Sequence, residues 1–205
     1  LEAAGFVCNP ELKNFYLNNS LSGNGRPASL AIEAGFPTGF ETGETPISSY
    51  SENLQKSFAQ YNDLAVVVVS RTGGEGNDLP RTMMKANGDP VSGAVAAEDH
   101  YLELDKNEQE MLKLVCENFD KVVLVINSAN TMELGFLDEI ADNDDTMLGY
   151  DYSSEIGAAI WIGSPGGYGI MALGRILNGT VTPSGRLTDT YARDFTKDPT
   201  FVNFS

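Results

Sequence analysis

The sequence has little of what several functional classes require. Only two cysteines occur, Cys8 and Cys116, which lie far apart and form no Cys-x-x-Cys motif. A disulfide framework or a zinc site therefore has no support, and Cys116 is expected to be a core residue. Ser164 lies in no G-x-S-x-G elbow, and the single histidine, His100, is expected to be a surface or loop-packing residue, so a Ser–His–Asp triad is not indicated.

Basic residues are also scarce, with 13 Lys and Arg against 29 Asp and Glu, a formal charge of −16. Such a surface repels phosphate backbones and anionic headgroups, which makes nucleic acid and membrane surfaces poor partners. No apolar run approaches the ~18 residues that cross a bilayer. The acidity is typical of a solvated surface, and a neutral substrate such as a sugar is compatible with it.

The chain lacks a starting methionine, and its first five residues have neither the basic flank nor the apolar core of a signal peptide. We therefore expect a fragment or a processed chain, and no compartment is indicated. The 205 residues, 41% of them hydrophobic, suffice for one domain with a real core.

Three continuous apolar runs stand out, and each is typical of a strand buried on both faces of a parallel sheet. They cover residues 64–69, 122–126 and 158–162. Their alternation with helical patterns indicates βαβ units. We predict an α/β fold, a three-layer α/β sandwich whose mainly parallel sheet has about five or six strands.

Apolar spacing and capping residues predict the remaining elements. Helices are expected over 10–18 (capped by Asn9), 51–61 (capped by Ser51), 105–119, 132–137 and 168–177. Asp105 and Glu108 are the expected cap and acidic first turn of the helix over 105–119. Long loops are expected over 19–50 and 138–153, and an edge strand over 187–191.

Functional loops of a parallel sheet lie at the carboxyl ends of its strands. The loop after Ser70 carries the most chemistry, because Glu75 has glycines on both sides and can project into a neighbouring cleft. Arg71 and Asp78 are candidates to bind substrate or to orient and tune Glu75. From the residues alone, a solvated turn with an ordinary surface glutamate remains open.

The stretch Ser-Arg-Thr-Gly-Gly-Glu-Gly-Asn-Asp (residues 70–78) resembles the acid/base segment of glycoside hydrolase family 3, and further matches follow in order. They are Leu102-Glu103-Leu104 with Gln109 and Leu112, the strand 122–128, Ala159-Ile160-Trp161, Pro165-Gly166 with Gly169, Gly179, and Pro183-Ser184-Gly185-Arg186-Leu187 with Thr190. Thr182 replaces the family's usual Asn, and Asp189 precedes Thr190.

The resemblance implies that residues 1–205 are the sandwich domain of a retaining β-glucosidase-like enzyme, with Glu75 as general acid/base. It also implies a (β/α)8 barrel that supplies the nucleophilic Asp. No such motif surrounds Trp161, the single tryptophan, so the barrel is expected before this domain, after it or in another chain. The substrate would be a β-linked glucoside or oligosaccharide, this chain alone would be inactive, and no metal or organic cofactor is implied.

Two other functions remain as alternatives. A non-catalytic carbohydrate-binding or scaffolding domain would not need a carboxylate on a glycine-flanked loop. Nucleotide binding is suggested by Gly167-x-Gly169-x-x-Ala172 with Asp189 about 20 residues further on. Pro165 crowds that turn, so close packing explains these glycines better. The acidic residues 142–145 lack the spacing of a calcium loop and are expected to be solvated.

Overall fold

A computed structural model of the chain describes residues 1–17, 31–33, 36–38, 44–71, 79, 82–84, 88–89, 99–138, 152 and 154–201. The helices and strands within this part follow in chain order. They are α1 (Pro10–Leu17), β1 (Ala31–Glu33), β2 (Phe36–Thr38), α2 (Glu52–Ser57), β3 (Ala65–Arg71), α3 (Lys106–Asn118), β4 (Val122–Ser128), β5 (Ile156–Trp161), α4 (Gly166–Gly169) and α5 (Met171–Leu177). No helix in these ranges is both long and apolar enough to cross a membrane.

The central sheet is parallel, with the strand order β3-β4-β5 among the described residues. Val67 pairs with Leu124 and Val125 with Ile160, and the register shifts between Val122 and Val123. The α/β class and the parallel sheet are thus confirmed, and the described part contributes three strands to the sheet. A separate antiparallel pair is formed by β1 and β2.

The core lies on one face of this sheet. Val67 and Val69 of β3 and Leu124 and Ile126 of β4 are at most 3% exposed and pack against α3 residues that include Leu112. These positions alternate along each strand because side chains of a strand point to opposite faces in turn. The core also contains Cys116, which confirms its prediction as a core residue.

Capping side chains fix where the helices begin. The Asn9 side chain accepts hydrogen bonds from the backbone N–H groups of Glu11 and Leu12 at the start of α1. Ser51 accepts one from Leu54 at the start of α2. Each cap satisfies N–H groups that have no partner within the helix, as the sequence predicted.

Two predictions about irregular segments are wrong. Residues 187–191 form no strand, since Leu187 is 55% exposed and the segment joins no ladder of the described sheet. The segment 19–50 is not a featureless loop, because it contains β1, β2 and a 3-10 helix, Ile47–Ser49. Tertiary context decides the conformation of both segments.

Candidate functional site

The carboxyl ends of the three parallel strands meet at one edge of the sheet. Arg71, the last residue of β3, pairs with Ser128, the last residue of β4. The indole Nε1 of Trp161, at the end of β5, donates a 2.8 Å hydrogen bond to the carbonyl of Ser128. The loops after the three strands therefore leave from adjacent points, as expected for the functional edge of a parallel sheet.

Arg71 is the most heavily bonded residue at this edge. Its Nε donates to the carbonyl of Tyr101 at 2.5 Å, and Nη1 donates to the carbonyl of Ser70 at 2.8 Å. The carbonyl of Glu103 accepts from Nη2, and the carboxylate of Glu108 accepts from both terminal nitrogens at 2.7 Å. A guanidinium has five N–H donors, so every donor of Arg71 has a protein acceptor.

The Arg71–Glu108 pair is buried, with exposed side-chain fractions of 0% and 1%. Burial alone would lower the pKa of Arg71, but the charge and hydrogen bonds of Glu108 raise this pKa above its ordinary value. The guanidinium also lies over the Tyr101 ring, 5.5 Å from its centroid. A buried, doubly hydrogen-bonded pair of this kind has a fixed geometry, in contrast to an exposed ion pair.

Glu108 has a second role in the first turn of α3. Its backbone N–H donates to the Asp105 carboxylate at 2.8 Å, and its carboxylate accepts from the backbone N–H of Asp105 at 3.0 Å. This reciprocal capping box satisfies two backbone donors at the helix start. The end of β3 and the start of α3 are consequently joined through one carboxylate.

Only one of the three site residues predicted from the sequence lies among the described residues. Arg71 is described and buried. Glu75 and Asp78 lie outside the described residues, as does the acidic stretch 142–145. The described part of the site therefore lies around the two ends of the segment 72–98, which follows Arg71 and precedes Asp99.

A second cluster surrounds His100, which is 3% exposed. Its Nε2 lies 3.4 Å from a carboxylate oxygen of Glu103 and 3.4 Å from one of Glu133. The rings of Phe195 and Phe201 pack on the imidazole at centroid distances of 5.3 and 5.5 Å. His100 is thus a loop-packing residue, one of the two placements that the sequence predicted.

The His100 cluster brings together three potential metal ligands within 4.8 Å of one another. However, Nδ1 of His100 accepts a 3.2 Å hydrogen bond from the backbone N–H of Leu102, which places the ring proton on Nε2. A metal-bound histidine instead donates its other ring N–H to an acceptor. The hydrogen bonds therefore suit a cluster in which His100 donates toward two carboxylates better than a metal site.

Charge accumulates in this cluster. Burial, together with the nearby carboxylates of Glu133 and Asp99, raises the pKa of Glu103 to about 7 against the opposing effect of His100. The carboxylate of Glu133 also accepts a 2.6 Å hydrogen bond from the backbone N–H of Phe195. The cluster thus ties the segment after β4 to the segment that contains Phe195.

Trp161, Tyr168 and the two cysteines differ in their burial. Trp161 is half-buried and packs against the core, while Tyr168 is 95% exposed on α4. Burial raises the pKa of the Cys116 thiol to about 11, which keeps it protonated and unreactive. Cys8 and Cys116 are both free thiols.

Sequence reasoning missed the partners of Arg71 and His100. Glu108 was recognised only as a helix-capping residue, and Glu103 and Glu133 were given no role. The separation of 37 residues between Arg71 and Glu108 carries no periodic signal. A buried arginine next to a strand end does, however, require a carboxylate, and a capping-box glutamate is a natural candidate.

Comparison with known proteins identifies the family. The model of the glycosyl hydrolase family 3 C-terminal domain matches residues 17–204. A beta-glucosidase of Ruminococcus albus is 32% identical over 153 residues, which is 75% of this chain and 13% of that protein. Beta-glucosidase A of Butyrivibrio fibrisolvens is 30% identical over 159 residues, 75% of this chain and 18% of that protein.

A solved structure shares the fold. The crystal structure of a beta-glucosidase from Paenibacillus barengoltzii superposes with a TM-score of 0.62 at 24% identity, covering 95% of this chain and 17% of that one. The chain thus spans less than a fifth of each of these relatives. Because the family model covers nearly the whole chain, the chain belongs to the glycosyl hydrolase family 3 C-terminal domain family.

Proposed function

We propose that this domain supplies Glu75 as the general acid/base of a retaining β-glycosidase that hydrolyses terminal, non-reducing β-D-glucosyl residues. The nucleophile lies on a (β/α)8 barrel domain outside this chain. The main support is the position of Arg71 at the end of β3, on the edge where parallel sheets carry their functional loops. Glu75 follows only four residues later, and two relatives are named beta-glucosidases.

The chemistry requires a second carboxylate close to the acid. Retaining glycosidases place their two carboxyl groups about 5–5.5 Å apart, one to attack the anomeric carbon and one to protonate the leaving oxygen. A solvated glutamate titrates near ~4.3 and would not hold its proton at neutral pH. Glu75 therefore needs the barrel and the bound sugar to exclude water and to bring the nucleophile's negative charge close.

It follows that the 205-residue chain is inactive by itself, and that Asp78, three residues beyond Glu75, assists the acid or the bound sugar. No step of this proposal needs a metal ion or an organic cofactor.

The test compares wild-type enzyme with Glu75→Ala, in the protein that contains both domains. On phenyl β-glucoside, whose leaving group needs protonation, we expect turnover to fall by about 10²–10⁴-fold. Azide should restore activity on 2,4-dinitrophenyl β-glucoside and give β-glucosyl azide. Glu117→Ala, an exposed glutamate on α3, is the matched control and should behave as wild type.

If Glu75→Ala hydrolysed phenyl β-glucoside at the wild-type rate, Glu75 would not be the general acid/base. The domain would then be better explained as a non-catalytic carbohydrate-binding or scaffolding module, which needs no carboxylate at this position.

A further inference from the structure

The segment that carries Glu75 begins directly after a buried side chain, Arg71, that also contacts the chain shortly after the segment ends. Residue 72 follows Arg71 directly, and the chain returns at Asp99, two residues before the Tyr101 carbonyl that accepts from Arg71. The carbonyl of Glu103 and the carboxylate of Glu108 extend these contacts along the returning chain to α3. One guanidinium thus joins the start of this segment to the chain that follows it.

We propose that Arg71 and Glu108 form a positioning pair that holds the base of the segment 72–98 in the register that general acid catalysis requires. The proposal rests on the proposed function of Glu75. It assigns Arg71 to the support of the acid, and it adds Glu108, which otherwise appears only as a helix-capping residue.

The hydrogen bonds of Arg71 indicate that this residue supports the acid and does not bind the sugar. All five N–H donors have acceptors within the domain, and the residue is 4% exposed. A guanidinium that contacted a sugar hydroxyl would have to give up one of these bonds in a buried place, which is costly. The planar fork also fixes several acceptors at once, whereas the ammonium group of a lysine acts as a point charge.

Positioning matters for a general acid because proton transfer needs hydrogen-bond reach to the leaving oxygen. A misplacement of about 1 Å by a distant substitution can cost about 100-fold in rate. In the bond-cleaving step, such a loss falls only on substrates whose leaving group must be protonated. An activated leaving group departs without the acid, so its rate reports folding and sugar binding alone.

The experiment uses the two-domain enzyme with Arg71→Lys and Glu108→Gln, which keep the side-chain polarity and similar length. We expect kcat on phenyl β-glucoside to fall by about 10- to 100-fold, with KM little changed. On 2,4-dinitrophenyl β-glucoside the first, bond-cleaving step should change by less than about 3-fold, as measured in a pre-steady-state burst. The basic limb of the pH profile on phenyl β-glucoside, where the general acid loses its proton, should also shift.

Leu112→Ala is the matched control, because Leu112 is a buried apolar core residue on the same helix. It should destabilise the domain without changing the ratio of rates on the two substrates. An equal loss on both substrates in Arg71→Lys and Glu108→Gln, or no loss on either, would show a purely structural pair and overturn the positioning role.

The Glu75→Ala variant distinguishes failure of the positioning pair from failure of the proposed function. If this variant loses phenyl β-glucoside turnover selectively while Arg71→Lys and Glu108→Gln do not, the acid stands and the positioning pair fails. If Glu75→Ala keeps wild-type turnover, the proposed function fails and the positioning role fails with it.

Discussion

Gly135 lies against the backbone of Arg193 so closely that a Cβ at Gly135 would stand 2.3 Å from the Arg193 carbonyl oxygen. The neighbouring Leu134 N–H donates to the carbonyl of Ala192 at 3.0 Å. These two contacts hold the segment after β4 against the segment that leads to Phe195. The close approach is possible only because glycine has no side chain.

We therefore expect Gly135→Ala to destabilise the domain by at least about 1–3 kcal/mol, the usual cost of overpacking. The neighbouring atoms are backbone and cannot move aside as a flexible side chain would. Gly167→Ala is the matched control, because a Cβ at Gly167 meets nothing within 4 Å. Urea unfolding followed by circular dichroism measures both, and equal midpoints for the two variants would contradict the close approach.

The pKa of Glu103, raised to about 7, predicts a pH dependence of stability. The unfolded carboxyl group titrates near 4.5, so the native state retains a proton that the unfolded state has lost. Stability contributed by this group is therefore complete below about pH 4.5 and is lost as pH rises through about 7. The total change is at most about 3 kcal/mol.

Glu103→Gln should remove this loss of stability, because an amide does not titrate and still accepts the hydrogen bond from the backbone N–H of His100. The free energy of unfolding, measured in urea at pH 5 and pH 8.5, should fall less with pH than in the wild type. Glu117→Gln, at an exposed position, should keep the wild-type slope. An unchanged slope in Glu103→Gln would show that Glu103 is ionised throughout this range.

The limits of sequence reasoning follow from the range of each interaction. The strands β3, β4 and β5 and the cap of α3 were predicted correctly because they depend on neighbouring residues, namely apolar runs and an Asp105–Glu108 spacing of one helical turn. The pairing of Arg71 with Glu108 depends on the folded sheet and has no local signature. The His100 cluster likewise joins three segments that only tertiary structure brings together.

The same distinction explains the wrong edge strand at 187–191. Leu187 and Tyr191 supplied β propensity, but a strand also needs a partner ladder, and β propensity mainly reports side-chain packing on a half-buried surface. In the described structure Leu187 is more than half exposed, so this packing is absent.

Trp161 provides a prediction at the edge of the sheet. Trp161→Phe keeps most of the ring but removes the 2.8 Å hydrogen bond from Nε1 to the Ser128 carbonyl. We expect a loss of about 1–2 kcal/mol in the free energy of unfolding, because the carbonyl of Ser128, a residue that is 1% exposed, loses this donor. Tyr168→Phe is the control, since Tyr168 is 95% exposed, and it should leave stability unchanged. Equal stability of the two variants would show that water replaces the indole.

We expect a double-mutant cycle on Arg71 and Glu108 to show strong coupling in the free energy of unfolding. Removing one partner of a buried ion pair leaves an uncompensated charge, and the usual cost is about 3–5 kcal/mol. Both Arg71→Met and Glu108→Leu should therefore unfold at much lower urea concentrations than the wild type. The double variant should lose clearly less than the sum of the two single losses, since neither charge then remains buried.

The double variant should nevertheless stay below the wild type. The carbonyls of Ser70, Tyr101 and Glu103 lose their donor with Arg71, and the Asp105 N–H loses its acceptor with Glu108. Urea unfolding of the four proteins at pH 7 gives the coupling free energy directly. Additive losses would mean that water enters and solvates whichever charge remains, which is incompatible with side-chain exposures of 0% and 1% for the pair.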